Sequence, residues 1–442
     1  MFLKLILFWS DVMHTAFELP DWVKKTSVYQ INPRTFSREG TIKAVTDELP
    51  TLKELGFGII YLCPIFKTDD SKDKAYWSPR QIASNTENPK NPYRMVNYFE
   101  IDEEYGSMAD LKSFVSECHR LGLKCLLDLV YLHMGPNADI LKAHPEFARR
   151  KEDGSLDLNH WNFAVLNYEN EGLREYLYTN MVYYVGEIGV DGFRCDVGDC
   201  IPLDFWAEGK RRIRAINPEA VMINEGGKSE YLTVFDANYG FYWHDCLYAM
   251  LSGSKTAKEV KAEYDRFSGS GLILRDMDNH DTVTDWPYRI EGHFGHDAMD
   301  LILAVNYTLD GVPMVYCGNE LADTARLSMF ANRFYPGEFE FTDRKAATPE
   351  SEKRRELIRF LNRIKAEDKA LYEGETEWRE TENDKVIAFT RKADSERITF
   401  YGNFSKEAAD IVLPKNKEVL HSQGLSYGKL SSYGYIIFKE GE

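Results

Sequence analysis

From Val28 to Tyr316, short apolar runs alternate with stretches whose apolar positions recur at helical spacing. The runs are Val28–Ile31, Gly58–Pro64, Leu123–Val130, Val190–Cys195, Ala220–Asn224, Ala237–Phe241, Leu272–Leu274 and Val312–Tyr316. Strands covered on both faces read this way, as nearly continuous apolar segments. Helical patterns fill the intervals at Thr41–Leu55, Met108–Leu121, Asn170–Ile188, Pro202–Ile216, Thr256–Phe267 and Asp297–Leu309. Gly56, Gly122 and Gly189 each follow the last apolar residue of such a pattern, where a left-handed residue closes a helix. Eight strands in β–α alternation predict an α/β fold, the (β/α)8 TIM barrel, with an open doubly wound sheet as the structural rival.

Two connections exceed ordinary length, Ile65–Ser107 and Leu132–Tyr168. In a barrel both emerge at carboxyl ends of strands, where long loops build active sites. The second is expected to form a short inserted domain, residues 132–168, after the third strand. Beyond Ala366 the pattern changes to alternating segments such as Val386–Arg391, Arg397–Tyr401 and Tyr433–Phe438. Residues 21–366 are therefore assigned to the barrel and 367–442 to a C-terminal antiparallel β domain of sandwich type. Residues 1–20 read as an N-terminal extension packing on the protein. They carry Lys4 before a short apolar run, then Asp11 and His14, with no A-x-A cleavage pattern.

Composition narrows the partners. A net charge of −17 repels polyphosphate backbones, so no nucleic-acid partner is expected. No stretch is long and apolar enough to suggest a membrane partner. The seven cysteines show no CxxC or Cys/His cluster, which favours reduced thiols and a cytoplasmic location, with export as the alternative.

Charge interrupts the apolar runs at their carboxyl ends. DLVYLHMGP (128–136) carries Asp128 and His133, DGFRCDVGD (191–199) carries Arg194 and Asp196, VMINEGG (221–227) ends at Glu225, and LILRDMDNHD (272–281) ends in His280 and Asp281. Singly, each acid reads as a helix cap or a solvated loop residue. Together they would converge on one mouth of a barrel. The chain lacks HExxH, GxSxG and GxxxxGK[ST], and several carboxylates in one cleft fit glycosidic cleavage through an oxocarbenium-like transition state.

In order, DLVYLH, DGFRCD, INEG and MDNHD resemble the four signature regions of the α-amylase family, glycoside hydrolase family 13. The segments 91–124 and 311–320 also resemble that family, and the likeness spans about Ser27 to Glu320. The resemblance implies a retaining α-glycosidase acting on maltooligosaccharides or related α-glucans. It implies Asp196 as nucleophile, kept ionised by Arg194, Glu225 as general acid/base and Asp281 as the third acid. It places His133 and His280 on the sugar, Tyr93 as its stacking aromatic and Asp128 as a residue ordering the site. Trp286, close behind the fourth motif, is a further candidate for sugar stacking, ahead of Trp77, Trp161, Tyr242 and Trp243. No cofactor or metal is expected, with calcium as the alternative, although Leu132 replaces the asparagine that ligates it in many members. Gly227 stands where a tryptophan is frequent, and the Lys-His pair that often follows the nucleophile is absent. Asp199, in that neighbourhood, has no assigned role. A transglycosylase, isomerase or phosphorylase of the same family is the alternative, and a non-catalytic glucan-binding relative a third.

Overall fold

A computed structural model describes residues 17–269, 271–337, 341, 344 and 347–441. Eight parallel strands form a closed barrel: β1 (Val28–Ile31), β2 (Ile59–Leu62), β3 (Lys124–Leu129), β4 (Gly192–Cys195), β5 (Val221–Asn224), β6 (Ala237–Tyr239), β7 (Ile273–Arg275) and β8 (Val312–Tyr316). Each pairs with its neighbour in chain order, and β8 returns to β1 with Met314 opposite Val28. That last pairing replaces the open sheet by a barrel.

Strand periodicity sorts the side chains. Val28, Ile59, Tyr61, Leu126, Val221, Ile223, Tyr239, Leu274, Val312 and Met314 form one buried cluster inside the barrel, closed at the amino end by Leu19, Trp22 and Val23. Continuing the period of two toward the carboxyl ends brings the polar residues inward: Leu126 is followed by Asp128, Ile223 by Glu225, and Gly192 by Arg194 and Asp196. Gly192 is obligatory. Its φ is +148°, and a Cβ there would stand 1.9 Å from the Val221 carbonyl oxygen on β5.

The outer strand faces pack on helices α1 (Ile42–Glu54), α2 (Met108–Arg120), α3 (Glu171–Tyr183), α4 (Leu203–Arg214), α5 (Phe241–Leu251), α6 (Ala257–Phe267), α7 (His296–Thr308) and α8 (Pro349–Glu367). Local signals set their ends: Ser107 and Asp110 form a reciprocal capping box on α2, and Gly122 follows it with φ +68°. Two features depart from the sequence reading. The sixth strand stops at Tyr239 and α5 begins at Phe241, and only a 3₁₀ turn, Ser229–Thr233, links β5 to β6.

The tail forms β9 (Glu375–Trp378), β10 (Val386–Ala393), β11 (Glu396–Asn403), β12 (Ala409–Asp410), β13 (Lys417–Ser426) and β14 (Lys429–Glu440). They belong to a single antiparallel sheet in which β14 pairs with β11, β12 and β13. One face, including Phe389, Phe400 and Ile437, joins the main core, and the other buries Val386, Ala388, Ile436 and Phe438 in a small core of its own. Residues 1–16 of the expected N-terminal extension lie outside the described residues. Its end does pack on α4, with the Phe17 ring under Lys210 at 4.8 Å and the Glu18 carbonyl accepting from Arg214 at 2.7 Å. At the barrel's amino end, Asp191 accepts from Lys124 Nζ and Cys125 N, each at 3.0 Å, and meets His119 Nε2 at 2.8 Å. No helix among the described residues is long and apolar enough to cross a membrane. All seven cysteines are free thiols.

Candidate active site

A cleft of about 130 Å³ opens at the carboxyl ends of the strands, lined in part by Tyr93, His133, Trp161, Asp196, Glu225, His280 and Asp281. Beneath it lies Arg194, whose register partner across the β3–β4 pair is Asp128. Its Nη1 donates to both oxygens of Asp128, at 2.8 and 3.0 Å, and to Asp196 Oδ1 at 2.8 Å. Its Nη2 forms an ion pair with Glu225 Oε1. One guanidinium therefore serves three carboxylates, and the hydroxyl of Tyr61 donates to Asp128 from the other side.

Sharing one cation changes the expected charge state of Asp196. Burial outweighs Arg194 and raises the Asp196 carboxyl to about 7, instead of leaving it depressed as the neighbouring cation alone implies. Burial likewise raises Asp128 to about 6 and Glu225 to about 8. Asp281 behaves oppositely. Burial opposes its ionisation, but His280 and the Arg80 guanidinium outweigh that and bring it down to about 2. Arg80 donates to Asp281 Oδ1 at 2.7 Å and to Asp285 Oδ1 at 2.8 Å. Glu225 thus holds its proton to the highest pH of the four acids. Arg194 and Asp128 are buried below the cleft and do not line it, so they act on the acids from beneath.

The turns after β4 and β5 lock together. Val197, next to Asp196, sits in the left-handed region at φ +43° and donates its backbone N–H to Glu225 Oε2 at 2.9 Å. The Asp199 carboxylate accepts from Asn224 Nδ2 at 2.7 Å, Gly227 N at 2.9 Å and Lys228 N at 3.0 Å. Asp199 thereby fastens the backbone that carries Glu225. A Cβ on Gly226 would lie 2.2 Å from the Asp199 carboxyl carbon.

The two histidines are held by the protein itself. His280 Nδ1 lies 2.8 Å from Gln30 Nε2, and its Nε2 lies 2.5 Å from the Tyr93 hydroxyl. The His280 and Tyr93 rings stack at 5.5 Å between centroids. His133 lies 3.1 Å from the Tyr93 carbonyl through Nε2 and 3.2 Å from Asn159 through Nδ1. Burial lowers His133 to about 3 and His280 to about 4, so both rings are neutral. Tyr93 is the hub of this group, held between the two histidines.

Among the tryptophans of the described residues, only Trp161 lines the cleft. Trp77 is buried, with its indole N–H donating to Ser71, and Trp243 donates to Asn306. Tyr242 stacks on Phe267. Trp286 does not line the cleft. It packs with His244 and Tyr248, which corrects its assignment to the sugar. Arg80 is a site residue that sequence reasoning missed. Its signal in the sequence is only its place after Ser78-Pro79 in a long loop, while its partners lie about 200 positions away. Leu132 packs half-buried on the core, and its side chain offers no oxygen to a cation.

The family described as "Alpha amylase, catalytic domain" matches residues 19–153 and 146–397. The chain belongs to the α-amylase family. A cyclomaltodextrinase from Bacillus sp is 28% identical over 365 residues, covering 69% of this chain and 61% of that relative. An intracellular maltogenic amylase from Bacillus subtilis is 25% identical over 451 residues, 88% of this chain and 70% of the relative. The chain thus spans about three fifths of the first of these relatives. Among solved structures, an α-amylase from Lactobacillus plantarum superposes with a TM-score of 0.78 at 22% identity, over 96% of this chain and 100% of that one. This α-amylase-family chain shares the barrel and the tail arrangement with it at the level of fold.

Proposed function

We propose that the chain is a retaining α-glycosidase that hydrolyses α-glucosidic bonds in maltooligosaccharides or related α-glucans. The observation that carries this reading is the pairing of Asp196 and Glu225 on one arginine at the cleft floor, with the proton held most firmly by Glu225. In the first step an Asp196 oxygen attacks the anomeric carbon as its bond to the glycosidic oxygen breaks. Glu225 passes its proton to that departing oxygen. In the second step Glu225, now ionised, takes a proton from water. The water oxygen bonds to the anomeric carbon, and the ester to Asp196 breaks. Asp281, ionised beside the Arg80 guanidinium, lies where it can bind sugar hydroxyls and favour the cationic transition state. Retention calls for carboxyls about 5–5.5 Å apart, and their shared guanidinium supports a short spacing.

The named relatives, a cyclomaltodextrinase and a maltogenic amylase, agree with an α-glucan substrate. Seven free thiols and a relative named intracellular favour a cytoplasmic site of action. Proton NMR of the first sugar released from maltotriose tests the reading. The α-anomer is expected first, and Glu225→Gln should slow its release about 10²–10⁴-fold. Initial release of the β-anomer would overturn the retaining mechanism. Transfer products exceeding free sugar at low maltotriose would favour the transglycosylase alternative.

A further inference from the structure

Three loops interlock on one side of the cleft. Arg80 stands on the short helix Pro79–Ala83 in the connection after β2, and it spans Asp281 and Asp285 on the helix His280–Asp285 after β7. The connection after β8 is sewn to both. Met329 N donates to Thr284 Oγ1 at 3.0 Å, and Asn88 Nδ2, from the β2 connection, donates to the Phe330 carbonyl at 2.8 Å. Met329 and Phe330 are themselves buried, and both line the cleft with Arg80 and Asp285.

The ring order of the barrel says which side this is. Strands β7, β8, β1 and β2 are consecutive around it, and β5, which carries Glu225, faces them from across the barrel. A general acid stands on the side of the leaving group. The interlocked loops therefore stand on the donor side, where the chain running from the attacked sugar toward its non-reducing end would have to pass. On the Glu225 side the contrast is plain. Gly227 is exposed, a Cβ added to it would meet nothing within 4 Å, and only a 3₁₀ turn follows.

We propose that the Arg80 bridge and the loops it joins wall off the donor side, so that this site takes residues from the non-reducing ends of α-glucan chains and does not cut internal bonds. The inference rests on the glycosidase reading above. It goes beyond that reading in naming the wall, its residues and the kind of chain that fits. It also separates this chain from its cyclomaltodextrinase relative, whose name denotes a ring substrate without ends.

Maltoheptaose and cyclomaltoheptaose have the same linkages, and only the first has an end. Their rates are compared for wild type, Arg80→Ala and Asp285→Ala, with circular dichroism to verify folding. Wild type should release glucose progressively from maltoheptaose and open the ring at least about tenfold more slowly. Both variants should raise the ring-to-chain rate ratio by about threefold or more. Asp285 is half exposed, so its variant carries the test where Arg80→Ala does not fold. Ring opening by wild type within about tenfold of the open chain would overturn the wall, as would an unchanged ratio in the folded variants. Failure of wild type to cleave either substrate would instead overturn the glycosidase reading, and this inference with it.

Discussion

Arg194 shows why a buried charge cluster resists reading by pairs. A lone arginine beside Asp196 depresses its carboxyl, but here the same cation also serves Asp128 and Glu225, and burial prevails. The consequence is a narrow working range. Asp196 must be ionised to attack and titrates at about 7, so kcat/KM falls as pH drops through that value. Glu225 must be protonated and titrates at about 8, so kcat/KM falls again as pH rises past it. A pH profile on maltotriose should be bell-shaped with its maximum between the two, and Glu225→Gln should lose the alkaline limb. The acids themselves were legible because strand period and chain order place them together. Arg80 and the histidine–Tyr93 hub were legible only as residue types, since their contacts join loops far apart in sequence.

At the level of elements, apolar runs marked all eight barrel strands, because a strand covered on both faces has no polar side to interrupt it. The same logic hid α5. Its residues Trp243, Cys246, Leu247 and Met250 are buried and its start is aromatic, so Phe241 reads as a continuation of the strand before it. The turn after β5 was also opaque, since Asp199 acts on backbone N–H groups, which every sequence possesses. Its geometry sets apart two adjacent glycines. Gly226→Ala drives a methyl into the Asp199 carboxylate and should cost about 1–3 kcal/mol in denaturant unfolding, with a parallel fall in kcat. Gly227→Ala meets nothing and should stay within about 0.5 kcal/mol of wild type.

For the whole molecule, β–α alternation left barrel and open sheet as rivals. Only the β8–β1 pairing decides between them, and it joins the two ends of the domain. The tail was legible as alternating strands, whereas its shared core with the barrel was not, because no local pattern reports what a face packs against. The barrel's amino end couples global stability to pH. The His119 imidazole is raised to about 9 by its contacts with the Cys125 thiol and Asp191. A histidine whose folded pKa exceeds its unfolded value of about 6.5 stabilises fully below that value, and the gain is lost as pH climbs through about 9. Thermal melts across that window should show wild type losing Tm with rising pH more steeply than His119→Gln.

Val197 adds a consequence for engineering. A β-branched residue held at φ +43° stores conformational strain of about 1–3 kcal/mol, and it does so beside the attacking carboxylate while its amide grips Glu225. Asparagine tolerates that backbone region far better. Val197→Asn should therefore melt higher than wild type and turn over more slowly. Selecting variants for heat resistance alone would then relax the tension that keeps the two acids aligned, and would discard activity in the process.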